Sequence, residues 1–409
     1  MKTLLVAPFS PFPLVFGGAI RVHYLMKMLA SFSEVTLLAY RSWADVEAEA
    51  VQDYLETICH RVMLVDGKPA VTNVDRVRSV FCMRSFQYDV HYSQHFQLII
   101  DDLLAAEQFD VIVVEMTQMG YFRYHQPGAL RVLDMQNIEY ELLFRRAEMV
   151  AHPLKRAAFW LEAQKCYRDE IAICRSYDLI FTPSDRERLI LQRFKQMPPV
   201  ETLPNTIDVD YFAFHPQRPI TNQITFIGAT QVDANRDGLR YFMTQILPLI
   251  EQHVPDVRVS IVGGDPPPEI VAFGQRPNVE VTGFVPDVRT YMEQATVLVV
   301  PLRSGGGTRL KILEGLAFGV PTISTSVGAE GLNLVAGEHL LIADTPQAFA
   351  THVVQALTDS ALQKRLSVAG RRFVEVHYSW RNVAIQLHTQ LERALGLRST
   401  VPDVHSTRA

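Results

Sequence analysis

The chain alternates short apolar runs with longer amphipathic stretches. In its first half, five runs are short, rich in β-branched residues and bounded by turn residues, namely Thr3–Ala7, Val35–Tyr40, Asp110–Glu115, Arg131–Asp134 and Asp178–Thr182. Such runs are typical of buried strands in a parallel sheet. Helical patterns lie between them, most clearly Ala19–Ala30 and Leu154–Arg175. This alternation predicts βαβ units.

The segment Gln196–Pro204 contains three prolines and interrupts this pattern, which then starts again. The second series of predicted strands is Ile224–Gly228, Val257–Val262, Val279–Val281, Thr296–Pro301 and Thr322–Ser326. The helices predicted there are Arg236–Gln252, Val288–Gln294, Thr308–Phe318, Pro346–Leu357 and Ala361–Val376. Two such series joined by a hinge predict an α/β protein with two facing, doubly wound Rossmann-like domains. Ligands of this fold bind beyond the carboxyl ends of the strands, here between the domains.

The predicted boundaries follow from this organisation. Residues 1–200 are expected to form the first domain, and residues 201–378 the second. A C-terminal helix over 379–397 is expected to pack back on the first domain, and 398–409 is expected to be a disordered tail.

Composition excludes several classes of protein. With 39 basic against 44 acidic residues, the net charge of -5 gives no reason to expect nucleic acid as a partner. The four cysteines show no metal-ligand spacing and fit a reducing compartment. The N-terminal apolar run ends at Ala7, too early for a signal peptide or a membrane span, so it is interpreted as the first strand. We expect a cytoplasmic protein.

The richest stretch of candidate chemistry is Pro301–Gly319, PLRSGGGTRLKILEGLAFG. Gly305, Gly306 and Gly307 follow a buried strand and let backbone N–H groups approach a ligand closely. Thr308 is the expected N-cap of the next helix. A glycine loop leading into a helix N-terminus suits a diphosphate.

Three charged side chains add to this site. Arg309 and Lys311 place two cations in the first turn of the predicted helix, and Glu314 shares a stripe with Gly307 and Lys311. Glu314 would thus reach a ribose hydroxyl pair. The alternative is a flexible loop followed by a solvated charged face. The position directly after a buried strand favours the ligand site.

This stretch resembles the donor-binding signature of GT-B glycosyltransferases of the family-4 (group 1) type. Further segments resemble that family in the same order, namely Pro13–Gly18, Phe181–Asp185, Pro204–Phe212, Phe226–Asp237, Val262–Pro266 and Val281–Asp287. The resemblance implies a GT-B fold and transfer of a hexosyl group from a UDP- or GDP-sugar to a sugar, glycolipid or other hydroxyl acceptor, in cell-surface glycan or glycolipid synthesis. The nucleotide sugar is then a substrate, and no cofactor is expected.

The resemblance also implies roles for the two domains and for individual residues. The first domain would lie on the acceptor side, and the second would bind the nucleotide sugar. Glu314 would bind the donor ribose, and the loop of Gly17 and Gly18 would touch the donor phosphates. The backbone near Phe284 and Val285 would line the nucleobase pocket.

The sequence departs from the family at several of these positions. Gly306 stands where the first of two glutamates is usual, and Ala229 replaces an expected arginine. The expected lysine further on is replaced near Asn235 and Arg236. We therefore expect Arg236, together with Arg309 and Lys311, to neutralise the phosphates.

In the first domain, Glu115 replaces the histidine that usually follows its strand. Glu115 and Glu139 are both candidate bases toward the acceptor hydroxyl. A structural role for Glu115, such as holding the loop from Ser10 to Gly18, is the alternative. We expect Glu115 to be partly buried near the cleft, facing Gly17, Gly18 and the Gln136–Asn137 turn.

No metal site is predicted. Asp208-Val209-Asp210 is similar to a metal-binding DxD motif, but it follows the hinge and is interpreted as a turn. The histidines form no HxxxH or HExxH arrangement. The chain has no GxxxxGK[ST] or GxGxxG motif, which disfavours P-loop enzymes and NAD dehydrogenases.

Residues 144–175 mix basic and aromatic side chains and could contact an anionic membrane from its inner face. Interspersed acidic residues leave an ordinary solvated face as the alternative. Two other functions share the predicted architecture. One is a sugar-nucleotide epimerase, and the other is a catalytically degenerate protein that only binds sugar nucleotides.

Overall fold

The computed structural model describes residues 1–14, 16–41, 48–67, 79, 82–214 and 221–396. The predicted disordered tail at 398–409 lies outside the described residues. Contacts divide the chain into two units. The first contains Met1–Pro204 and Arg381–Ala409, and the second contains Asn205–Trp380.

The first unit is built on a parallel sheet. Its described strands are β1 Lys2–Ala7, β2 Glu34–Tyr40, β3 Arg61–Val65, β4 Val111–Glu115, β5 Leu130–Asp134, β6 Leu179–Thr182 and β7 Val200–Thr202. They lie in the order β3-β2-β1-β4-β5-β6-β7. From β1 the chain adds β2 and β3 on one side and β4 to β7 on the other, so the order of the strands reverses between β1 and β4. This reversal is the topological switch point, beyond which doubly wound sheets bind their ligands.

Helices cover this sheet. They are α1 Gly17–Ala30, α2 Ala48–Glu56, α3 Phe86–Asp89, α4 Gln94–Ala106, α5 Glu139–Met149, α6 Pro153–Cys174 and α7 Asp185–Leu191. All five residues of β4 are buried, as expected for a strand with helices on both faces. Apolar side chains of β1, β4 and β6 share one core with those of α4 and α6.

The second unit repeats the design. Its described strands are β8 Gln223–Ile227, β9 Arg258–Val262, β10 Val279–Gly283, β11 Val297–Val300, β12 Thr322–Ser324 and β13 Leu341–Ile342. They are parallel, in the order β10-β9-β8-β11-β12-β13, with the switch point between β8 and β11. The helices are α8 Asp233–Tyr241, α9 Leu247–Glu251, α10 Pro268–Val271, α11 Arg289–Gln294, α12 Leu310–Phe318, α13 Pro346–Thr358 and α14 Ser360–His377.

The last helix, α15 Trp380–Ala394, packs on the first unit from Arg381 onward. The His388 ring stacks on Phe32 with centroids 4.4 Å apart. The Gln386 amide donates to the Thr202 carbonyl oxygen at 3.2 Å.

Among the elements that differ from the sequence prediction, two lie beside prolines. Within the expected hinge, Val200–Thr202 forms β7 and pairs with β6. An edge strand tolerates nearby prolines because one of its sides needs no hydrogen bonds. The predicted continuous helix Arg236–Gln252 is interrupted by a π-helical turn at Phe242–Ile246. Pro248 follows in the first turn of α9 and cannot donate a helical hydrogen bond.

Candidate functional site

The glycine loop of the second unit joins β11 to α12 at the switch point. Gly305 and Gly307 have φ of +126° and +66°, which glycine adopts without strain. The predicted helix start at Thr308 is wrong, because α12 begins at Leu310 and Arg309 precedes it. The Thr308 hydroxyl instead accepts a hydrogen bond from Asn205. Gly307 therefore lies outside the helix, not on a helical stripe with Lys311 and Glu314.

Arg309 is turned back onto this loop. Its guanidinium donates to the carbonyl oxygens of Gly306 and Gly307. A Cβ on Gly305 would lie 2.9 Å from the same guanidinium. Arg309 is buried here. It holds the glycine loop in shape, whereas the sequence led us to expect it to face the phosphates.

Lys311 lies on α12, which follows β11, and its side chain reaches across the switch point to β8 and α8. Its Nζ donates to Asn235 Oδ1 at 2.9 Å and lies 4.5 Å from the centre of the Phe226 ring. A side chain on Gly228, directly after β8, would overlap this ammonium group. Burial and the nearby Arg309 lower the pKa of Lys311 to about 7, although Glu314 opposes the shift. The cation is therefore placed beyond the carboxyl end of β8, in position for an anion.

Glu314 lies one turn further along α12 and is half-buried. Burial raises the pKa of its carboxyl to about 7, and Lys311 opposes this shift. Within the described residues, its carboxylate accepts no hydrogen bond. Both oxygens are thus available to hydroxyl groups of a ligand.

Three other residues of this unit were predicted to contact the nucleotide sugar. Arg236 pairs with Asp233 and with Glu269, where Nε and Oε1 are 3.0 Å apart. Its charge is therefore already matched, in contrast to the expected phosphate role. Phe284 is 74% exposed, and Val285 packs partly against the core. Both follow β10 at the same edge of the sheet as the glycine loop.

In the first unit, Glu115 ends β4 and is the register partner of Asp134 on β5. It is fully buried, whereas partial burial was expected. Glu115 Oε1 accepts a 2.7 Å hydrogen bond from Gln136 Nε2, which also contacts the Gly18 carbonyl oxygen at 3.4 Å. Burial and the neighbouring Asp134 raise the pKa of Glu115 well above its usual range, although Arg21 and Gln136 oppose the shift.

The ion pair beside Glu115 was not predicted from the sequence. Arg21 on α1 donates to both oxygens of Asp134, through Nε at 2.9 Å and Nη2 at 2.5 Å. Its Nη1 donates to the Leu203 carbonyl oxygen at 3.1 Å. The sequence did contain a signal for this pair, since Asp134 ends a buried strand and a buried charge requires a partner of opposite charge.

Gly17 begins α1, and Phe16 at its N-cap supplies no side-chain hydrogen bond. Gly18 lies under Gln136, since a Cβ there would be 2.8 Å from Gln136 Oε1. The predicted loop of Gly17 and Gly18 is thus brought to the end of β5. Its residue Val15 lies outside the described residues.

Glu139 starts α5 and is half-buried. Burial raises its pKa to about 7, although a hydrogen bond with Gln118 opposes the shift. The carboxylate of Glu170 on α6 accepts from the backbone N–H groups of Glu139 and Tyr140, at 3.1 and 3.0 Å. Burial and Glu139 raise the pKa of Glu170 to about 8. Glu170, a further residue that the sequence did not indicate, caps α5 and supports Glu139.

The DxD-like segment forms a turn, in which Asp208 Oδ1 accepts from the backbone N–H groups of Asp210 and Tyr211 at 3.1 and 3.2 Å. In the part of the chain that the structure describes, no three His, Cys, Asp or Glu residues form a group that could hold a metal ion. No helix in the same part is long and apolar enough to cross a membrane.

Comparisons with known proteins find relatives that are similar in sequence and in fold. Residues 221–359 match the family model described as Glycosyl transferases group 1. The chain is 20% identical over 401 residues to an uncharacterized 44.6 kDa protein in the cps region of Klebsiella pneumoniae, covering 93% of this chain and 97% of that protein. It is 26% identical over 209 residues to the GDP-mannose-dependent alpha-(1-6)-phosphatidylinositol monomannoside mannosyltransferase of Mycolicibacterium smegmatis, covering 46% of this chain and 55% of the relative.

The fold is similar to that of Anabaena HepE, solved in complex with UDP, with a TM-score of 0.66 at 12% identity. The similarity covers 96% of this chain and 100% of HepE. The predicted resemblance to group 1 glycosyltransferases and the predicted GT-B class of fold are therefore confirmed. The finer assignment to family 4 stays a prediction.

Proposed function

We propose that this protein transfers a hexosyl group from a UDP- or GDP-sugar to a hydroxyl acceptor without a metal ion. The observation that carries the proposal is the pair Lys311 and Glu314 on α12. Both residues lie on the helix that follows the glycine loop, at the switch point of the second sheet. One cation and one carboxylate with free oxygens, a turn apart, suit a diphosphate and the adjoining ribose.

Each part of this site has a role in donor binding. The N-terminus of α12 and the Lys311 ammonium hold the diphosphate, and Glu314 accepts hydrogen bonds from the ribose hydroxyls. Arg309 keeps the glycine loop open by binding its carbonyl oxygens. The two nucleotides follow from relatives, since one uses GDP-mannose and HepE binds UDP.

Glu139 is the candidate base toward the acceptor. It is half-buried rather than enclosed, and its pKa of about 7 suits a general base at neutral pH. The backbone contacts of Glu170 hold it at the start of α5. Glu139→Gln should lower turnover by about 10²–10⁴-fold with little change in donor affinity.

The deciding experiment screens UDP-, GDP-, ADP- and dTDP-sugars for thermal stabilisation, then incubates the stabilising donor with sugar and glycolipid acceptors. Stabilisation and transfer of the sugar support the proposal. A C2-inverted sugar nucleotide would identify an epimerase instead. Stabilisation without transfer, hydrolysis or epimerisation would identify a protein that only binds sugar nucleotides.

The acceptor is proposed to lie on a membrane, which the protein meets through the hairpin tip (residues 145–161) between α5 and α6. Four large apolar side chains are exposed there, Met149, Leu154, Trp160 and Leu161. Four basic residues against one acidic residue add a net charge of +3. Exposed Trp and Leu beside Lys and Arg suit an anionic lipid surface.

A further inference from the structure

Glu115 is the last residue of β4, at the carboxyl ends of the strands where a ligand is expected, yet none of its surface is exposed. A general base must come within hydrogen-bond distance of the hydroxyl that it deprotonates. Gln136, at the end of the adjacent strand, covers Glu115 and is itself half-buried. At the carboxyl ends of β4 and β5, the group that remains accessible is therefore the Gln136 amide and not the Glu115 carboxyl.

The charges around Glu115 do not favour its ionised form. Arg21 binds both oxygens of Asp134, so Asp134 holds the negative charge that this cation matches. The groups that act electrostatically on Glu115 are Asp134, Arg21 and Gln136, and Glu187 is a further carboxylate near Arg21. Glu115 Oε2 is buried and accepts no hydrogen bond from a donor among the described residues, whereas a protonated Glu115 can donate a hydrogen bond to the Asp134 carboxylate beside it. When Glu115 takes up a proton, two negative charges no longer lie side by side in the interior, and only Asp134 remains ionised.

Gln136 connects this acid to the start of α1. Its Nε2 donates to Glu115 and lies 3.4 Å from the Gly18 carbonyl oxygen. Its Oε1 lies so close to Gly18 that a Cβ there would be 2.8 Å away. The amide is thus fixed in one orientation by Glu115 and Gly18 together.

We propose that Glu115 is a positioning residue: as a neutral carboxylic acid between Asp134 and Gln136, it holds the Gln136 amide against Gly18, and Gln136 contacts the sugar substrate. The identity of that substrate rests on the proposed function, but the protonation of Glu115 does not.

The protonation is tested without substrate, by infrared difference spectra between the wild type and Glu115→Gln at neutral pH. Loss of a carboxylic-acid carbonyl band supports the proposal, and loss of carboxylate bands overturns it. Asp178→Asn is the matched control. Burial opposes ionisation there, but hydrogen bonds and the charge of Arg131 lower the pKa of Asp178, so only carboxylate bands should be lost.

The positioning role is tested by turnover. An amide at position 115 can donate to Asp134 as the acid does, so Glu115→Gln should keep turnover within about tenfold of the wild type, whereas Glu115→Ala and Gln136→Ala should lose much more. A loss of about 10²–10⁴-fold in Glu115→Gln is what removal of a base causes and would overturn the proposal.

The pH profile separates the two roles further. At saturating donor, where the pH dependence of donor affinity does not enter, ionisation of Glu115 should lower wild-type turnover at alkaline pH, and Glu115→Gln should lack this decline. Disappearance of an acid-side decline in Glu115→Gln would indicate a base and contradict the proposal. If the wild type transfers no sugar at all, the proposed function fails, while the infrared result still decides the state of Glu115.

Discussion

Lys311 Nζ donates a 2.9 Å hydrogen bond to Asn235 Oδ1, and this contact ties α12 to α8 across the switch point of the second sheet. Asn235 is in turn fixed by donating to the Ala229 carbonyl oxygen at 2.9 Å. Ala229 and Asn235 stand where the resemblance predicts two cations. The contact brings a cation from α12 to that place instead.

This arrangement predicts a pH optimum for nucleotide binding. In the protein without ligand, Lys311 has a pKa of about 7. Because a bound diphosphate favours the ammonium form, binding takes up a proton above pH 7, and the affinity falls as the pH rises. Glu314 also has a pKa of about 7, and hydroxyl groups favour its carboxylate, so affinity falls as pH drops below 7. Titration calorimetry of UDP or GDP in buffers of different ionisation enthalpy measures both effects.

The Lys311→Met variant should lose the alkaline decline and its proton uptake. Lys364→Met, an exposed lysine of α14, serves as the control and should keep both. An unchanged pH profile in Lys311→Met would remove Lys311 from the phosphate site.

Glu314→Gln should weaken donor binding by about 1.5–3 kcal/mol, because a charge-assisted hydrogen bond to the ribose becomes a neutral one. The loss should appear with UDP or GDP alone, since the sugar is not involved. Glu338→Gln, an exposed carboxylate of the same unit, should bind as the wild type does. Equal calorimetric affinity of Glu314→Gln and the wild type would contradict the assignment.

Transfer should persist in EDTA, because Lys311 and the N-terminus of α12 supply the positive charge that a metal ion would otherwise provide. The double variant Asp208→Ala, Asp210→Ala should also remain active, with a small loss of stability from the turn that Asp208 closes. Turnover that disappears on chelation and returns with magnesium or manganese would disprove metal independence.

Arg21→Met should destabilise the first unit by about 3–5 kcal/mol, because it leaves Asp134 as a buried charge without its partner. Adding Asp134→Leu should recover much of this loss, since the unpaired charge is then removed. Urea unfolding of both variants measures the difference. A double variant no more stable than Arg21→Met would show that the pair acts mainly through packing.

The hairpin tip should bind vesicles containing phosphatidylglycerol and not those of phosphatidylcholine alone. Lys155→Glu with Arg156→Glu should cost at least about 2 kcal/mol of binding, from about 1 kcal/mol for each basic residue near the surface. Trp160→Ala should weaken binding through lost apolar contact, whereas Ile385→Ala, an exposed position on α15, should not. Equal flotation of all variants would exclude this surface.

The strand–helix pattern predicted much of the fold because buried parallel strands are short, apolar and locally recognisable. The edge strands β3, β7 and β13 were missed. The strand β13 has only two residues and β7 only three, too few to show a pattern. The start of α12 was displaced by two residues because Thr308 resembles an N-cap, whereas its hydroxyl is engaged by Asn205.

By itself, the sequence determined the two α/β series, the glycine loop after β11 and the placement of Lys311 and Glu314 one turn apart, because these features depend on neighbouring residues. Only the tertiary structure decided which charges meet. Lys311 and Asn235 are 76 positions apart, and Arg21 and Asp134 are 113 apart. Burial then decided the protonation of Glu115, because the free energy of a charge depends on the solvent and partners that remain around it after folding.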